Sequence, residues 1–288
     1  MNRSKLCFLS AMGIFGTLGI FVRYIPLPSS VISLFRAVLG LVFLAGVMLL
    51  GRKKPDWHAI RKNLLLLILS GIAMGFNWVA LFESYKYTTI ATATVCYYLA
   101  PLLLLLVSPL LGETLTLKKL VCIGVALIGL VLVSDVLDGE MPPPSATKGL
   151  LLGVGAAVLY ATVMFLNKKL SPIPAYDKTV MQLGSAAVIM LPYILLSQEA
   201  PLPTLTVLQW VLILVVGILH TGIAYALYFS SLKELNTQTI AVFSYLDPAI
   251  AVLLSALVLG EPMSFGNMIG TVLILGSALY SELPEKRK

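Results

Sequence analysis

Ten apolar runs recur along this sequence, and most approach the roughly 20 residues that a helix needs to cross a bilayer. Their approximate limits are Leu6–Val22, Val31–Leu50, Asn63–Phe82, Thr89–Ser108, Leu120–Val133, Gly149–Leu166, Thr179–Leu196, Leu208–Phe229, Ile240–Leu259 and Phe265–Tyr280. In hydrocarbon each backbone N–H and C=O must be satisfied by the protein itself, which restricts spanning elements to helices and closed barrels. Composition points the same way: 59% of residues are hydrophobic and 11% charged, against about 25% charged in soluble domains. The expected fold class is an all-α integral membrane protein with ten transmembrane helices. Arg3 and Lys5 precede the first run, as in a signal peptide, but no A-x-A site follows it, so an uncleaved first helix is expected.

Loop charge sets the expected orientation. With the N-terminus inside, the inner segments hold Arg3, Lys5, Arg52, Lys53, Lys54, Arg61, Lys62, Lys118, Lys119, Lys168, Lys169, Lys178, Lys233, Lys286, Arg287 and Lys288. The outer segments hold Arg23, Lys86 and Lys148, and Arg36 lies within a span. That asymmetry follows the positive-inside rule and places both termini in the cytoplasm. It also accounts for the basic balance without a nucleic-acid partner. Cys7, Cys96 and Cys122 lie in apolar runs without metal spacing and read as buried hydrophobes, so no metal or cofactor is expected.

The two halves resemble each other. In GFNWVALFESYKYT and GIAYALYFSSLKEL, Gly75 meets Gly222, Phe82 meets Phe229, Ser84 meets Ser231 and Lys86 meets Lys233. At the same offset Tyr98-Leu99-Ala100-Pro101 meets Tyr245-Leu246-Asp247-Pro248, and both runs go on to Leu-Gly-Glu, at 111–113 and 259–261. Five spans per half make the second half enter the membrane from the opposite side. Such a 5+5 inverted-topology repeat is a mark of secondary transporters, which bind substrate near the midplane. The expected division is a first repeat over 1–133, an outer linker over 134–148 carrying Pro142-Pro143-Pro144, and a second repeat over 149–288.

YLAPLLLLLVSPLLGETLT (98–116) and its partner YLDPAIAVLLSALVLGEPMS (245–264) are similar to the paired module of the EamA family, in the drug/metabolite transporter superfamily. Arg36, in SLFRAVLG, matches a frequent second-helix arginine of that family. The resemblance spans nearly the whole chain. It implies a ten-helix carrier of small metabolites, often amino acids and often outward.

Helical periodicity selects candidate path residues, because small and polar faces turn inward in membrane bundles. The ninth run presents Ile240, Ser244, Asp247, Pro248, Ala251 and Ser255 on one face. Other inner faces carry His220, Thr221 and Tyr228; Asn77 and Trp78; Thr94, Tyr97 and Pro101; and Tyr160 and Asn167. At about 1.5 Å per residue, Asp247, His220, Tyr98 and Tyr160 fall near one level. The expected substrate-binding set is Asp247, His220, Trp78, Asn77, Tyr98, Tyr160, Tyr245 and Arg36. Each has a plainer reading as packing, capping or a satisfied core polar group. Arg36, nearer the outer boundary, is expected to snorkel outward toward Glu83, leaving Asp247 without a cationic side chain at its depth. Pro101 and Pro248 are expected to open their helices by releasing the carbonyls of Tyr97 and Ser244. Asp247 then binds an ammonium group or carries a coupling proton, alone or with His220.

The expected function is a secondary transporter moving an amino acid or related amine, outward, across the plasma membrane. The expected partners are the solute, the lipid bilayer and the proton as a candidate coupling ion, and the chain works as a monomer or a homodimer. The alternatives are an importer of an organic cation or other metabolite, and an intramembrane enzyme acting on a lipid or small metabolite. H-E-x-x-H, G-x-S-x-G and GxxxxGK[ST] are absent, so the expectation is that the chain is not an enzyme and contains no ATP-driving P-loop.

Overall fold

The computed structural model describes residues 3–52, 54–112, 116–133, 144–197, 203–231, 235 and 243–283. All regular structure among them is helical. The helices are α1 (Arg3–Arg23), α2 (Ser29–Leu50), α3 (Trp57–Ser84), α4 (Ile90–Tyr97), α5 (Ala100–Val107), α6 (Leu117–Val133), α7 (Pro144–Lys169), α8 (Ala175–Leu196), α9 (Val207–Leu214), α10 (Ala224–Ser231), α11 (Leu246–Val258) and α12 (Phe265–Glu282). A π-helical stretch, Val215–Ile223, joins α9 to α10 without a break. Counted as spans among the described residues, seven segments are long and apolar enough to cross a membrane, with Leu246–Val258 and Phe265–Ser281 as two shorter apolar helices.

Local chemistry starts and stops these helices. Asp56 caps α3 by accepting from the Ala59 N–H, Thr89 caps α4, and Thr206 forms a reciprocal capping box with Gln209 at α9. Pro144 opens α7, where the missing N–H has no helical partner to lose. The helix therefore begins inside the stretch expected as linker, and residues 134–143 lie outside the described ones. Gly112 and Gly260 have φ of +76° and +63°. Only glycine takes that left-handed conformation at little cost, so both Leu-Gly-Glu motifs mark helix ends. Glu113 itself lies outside the described residues.

α3 packs against α7 and α8; α2 against α8 and the π stretch; α1 against α10 and α11; α4 against α7 and α11; and α6 against α12. Small residues permit close approach. A Cβ on Gly16 would come within 2.7 Å of the Asp247 carbonyl, so α1 and α11 meet backbone to backbone. One apolar core gathers Phe82, Leu44, Ile90, Leu183 and Trp78, whereas Leu195, Leu257 and Phe265 point outward, as suits lipid.

Polar ties fix the two ends of α3. At its start, Asn63 and Ser171 exchange hydrogen bonds of 3.3 and 2.9 Å, and the Asp56 N–H donates to Asp177 Oδ2. At its finish, Arg23 Nη1 donates to the Tyr85 carbonyl and Arg23 pairs with Glu261 at 3.6 Å. Its 28 residues span about 42 Å at 1.5 Å each, so these clusters lie at opposite ends of the bundle.

Candidate functional site

Two connected chambers lie between the helices. The inner one, about 160 Å³, is lined by Arg36, Asn77, Trp78, Tyr98, Tyr160 and Asp247 among others. The larger, about 440 Å³, shares Phe15, Met74, Tyr98, Tyr160, Val163, Tyr225 and Asp247 with it, and extends to Asn167, Lys178 and Tyr245. Six of the eight residues expected at the substrate site thus line the inner chamber, and Tyr245 lines the larger one. His220 is on neither lining.

Asp247 reaches this position through a helix interruption. Ser244 is helical, Tyr245 is a turn, and α11 starts at Leu246, so Asp247 and Pro248 occupy the first turn of a helix. There a proline costs little, because first-turn N–H groups have no helical acceptor. The expected continuous span from Ile240 is therefore corrected: the described helix runs from Leu246 to Val258, and residues 240–242 lie outside the described ones. The same interruption separates α4 from α5 at Tyr98 and Leu99, ahead of Pro101. Tyr98 donates its hydroxyl to Asp247 Oδ2 at 2.6 Å. Tyr97 and Tyr160 stack at 4.9 Å between ring centroids and form an aromatic wall beside that pair.

Arg36 departs from expectation. Its guanidinium does not reach toward Glu83, which instead accepts from Ser29 and Lys86. It lies 4% exposed, over the Trp78 ring at 4.2 Å and within 5.7 Å of the Phe82 ring. Nε donates to Thr221 Oγ1 at 2.9 Å. Two aromatic faces and a hydroxyl hold the cation at depth, where it has no need of the interface. Asp247 consequently shares its chamber with a cation, contrary to the expectation that none stood at its level. The two do not touch: among the described residues the ion pairs within 4.0 Å are Arg23–Glu261 and Lys86–Glu83.

The π stretch explains Thr221 and His220. Thr221 Oγ1 donates to the Val216 carbonyl five residues earlier, and His220 Nδ1 lies 3.2 Å from that of Val215. His220 Nε2 meets Thr17 Oγ1 at 2.9 Å, and Phe21 covers the ring at 4.9 Å. His220 is fully buried in a side-chain network behind the chambers. Tyr225, four residues beyond Thr221, lies on both linings. Its spacing of four from Thr221 and three from Tyr228 is the sequence signal for it. Asn77 lines the inner chamber but spends its amide on the Ala156 carbonyl, tying α3 to α7 at 2.6 Å.

The two ends of the bundle differ. Towards Asn63 and Ser171 the larger one reaches Asn167 and Lys178. Towards Arg23 the bundle is drawn shut. There Glu261 Oε2 accepts from the Ile90 N–H at 2.8 Å and from the Ser255 hydroxyl, so one carboxylate joins α1, the start of α4 and the end of α11.

With this geometry in place, similarity to known proteins is informative. The EamA-like transporter family matches residues 3–135 and 147–281. A Bacillus subtilis protein named as an uncharacterized transporter, YxxF, is 30% identical over 271 residues, spanning 93% of this chain and 86% of that one. A probable amino-acid metabolite efflux pump of Salmonella typhimurium is 30% identical over 181 residues, 59% of this chain and 58% of that one. One solved crystal structure shares the fold, with a TM-score of 0.65 over 96% of both chains at 21% identity.

Proposed function

The chain belongs to the EamA-like transporter family, and on that premise we propose that it is a secondary carrier of an amino acid or related amine, running outward across the plasma membrane by alternating access. The observation that carries this reading is the chamber in the bundle interior where the Asp247 carboxylate, held by Tyr98, faces aromatic walls. A membrane helix does not keep an ionisable group inside without a use for it. The relative named as an amino-acid metabolite efflux pump supports the solute class and the direction.

The proposed architecture is ten spans in two five-helix repeats of opposite orientation, with both termini in the cytoplasm. In its support, α2 packs on α8, α6 on α12, and α4 on α11. The first two pairs join equivalent helices of the two halves, and the third joins parts of the equivalent fourth and ninth spans. In the proposed orientation, which follows the loop charges, the Arg23–Glu261 closure faces outside and Lys178 faces inside, and the proposed state is inward-facing. The proton is the proposed coupling ion, with Asp247 as its carrier.

Solute counterflow in proteoliposomes tests the function. Labelled amino acid should accumulate in vesicles preloaded with the unlabelled compound, and should not in empty-protein controls. Failure of every amino acid and amine to move would remove this reading. Cysteine labelling within 134–148 tests topology, with outside access as the expected result.

A further inference from the structure

Arg36 and Asp247 pose a problem in electrostatics. An ionised group in a membrane interior is costly unless paired, and the cost falls when opposite charges meet. Yet these two face one chamber of about 160 Å³ and form no ion pair. The terminal nitrogens of Arg36 have no hydrogen-bond partner among the described residues, since the guanidinium gives only its Nε–H, to Thr221. Asp247 uses only Oδ2, for Tyr98. Trp78 below the guanidinium and Thr221 at its Nε restrict it to one orientation, which leaves the planar donor edge for a carboxylate.

We propose that this pair is a zwitterion clamp: Arg36 takes the α-carboxylate and Asp247 the α-ammonium of one amino acid, whose apolar or aromatic side chain enters the larger chamber. The proposal rests on the carrier reading and narrows it, because a simple amine leaves Arg36 unanswered and an α-keto acid leaves Asp247 so. The arrangement of the chambers fixes the pose. Asp247 stands at their junction, on both linings, whereas Arg36 is only on the inner one. The carboxylate therefore points inward to Arg36, and the side chain lies toward Met12, Phe15, Met74 and Val163. Those four walls are apolar and lie next to the clamp, and the polar residues Asn167, Gln182 and Lys178 line the same chamber.

Counterflow of labelled leucine into proteoliposomes tests this, with four competitors: leucine, its decarboxylated amine, its α-keto acid and N-acetyl-leucine. Losing a charge-assisted contact weakens binding by roughly tenfold or more. Leucine should compete at least about tenfold better than the other three. Arg36→Gln should weaken competition by leucine and leave that by the amine unchanged. The competitor series uses the wild-type protein, so it stands even where Arg36→Gln fails to fold. Equal competition by the amine, or a folded Arg36→Gln that handles leucine normally, overturns the clamp and leaves the carrier reading intact. Movement of another metabolite but of no amino acid with an apolar or aromatic side chain does the same. No movement of any solute by folded protein removes both.

Discussion

At Tyr98–Leu99 and again at Tyr245 a helix lets go just ahead of a proline, and further along each run a Leu-Gly step at positive φ marks a helix end. The residue before the proline differs. Ala100 is 0% exposed, packed with Val95 and Cys96 in an apolar core. Asp247 instead faces the chambers, and Tyr98, from the first segment, reaches across to hold its carboxylate. The backbone device is common to both segments, but only one of them carries a charge. A proline and a glycine fix where a helix starts and stops; the position between is left to chemistry.

The largest test of this contrast is Ala100→Asp, which places a carboxylate where the neighbours are apolar and closely packed. An uncompensated buried charge costs several kcal/mol, so the expected result is loss of the monodisperse peak in detergent size-exclusion chromatography. A well-behaved Ala100→Asp protein would break the comparison. The reverse exchange, Asp247→Ala, should keep the fold and lower counterflow about 10- to 100-fold, as loss of a charge-assisted contact requires. Transport at the wild-type rate would mean that the asymmetry has no function.

Tyr98→Phe sharpens the link between the segments. It removes the donor to Asp247 and keeps the ring, and should reduce counterflow by about threefold to tenfold, with fold retention checked by thermal melting. The smallest effects are expected at the glycines. Gly112→Ala and Gly260→Ala each force a Cβ into the left-handed region, worth about 1 kcal/mol or more. Both should lower the melting midpoint by several degrees at most. Gly260→Ala should do more, because it also moves Glu261 off the Ile90 N–H. Equal shifts would place no special weight on that closure.

Much of the chamber lining is legible in the sequence. The polar face containing Asp247 reads directly from spacing, and the shared Tyr-Leu-x-Pro frame pairs Tyr98 with the aspartate's own segment. Trp78 and Tyr160 follow from their inner faces. The position of Arg36 is not legible in this way, because depth along its own helix carries no information about what the neighbours offer. Trp78 and Thr221 hold it in the interior instead. His220 lay at a suitable level, but Thr17, Phe21 and the Val215 carbonyl surround it. Tyr225 is on the same inner face by its spacing from Thr221 and Tyr228, and lines both chambers.

The sequence alone settled the solvent, the helical class and the family, because hydrophobicity and backbone hydrogen bonding act along the chain. It also pointed to helix interruptions near Pro101 and Pro248, since proline and glycine limit φ locally. The tertiary structure decided which charges share a chamber and which are walled off. That depends on the rotation of each helix against its neighbours, and one π turn or one well-placed tryptophan face is enough to change it.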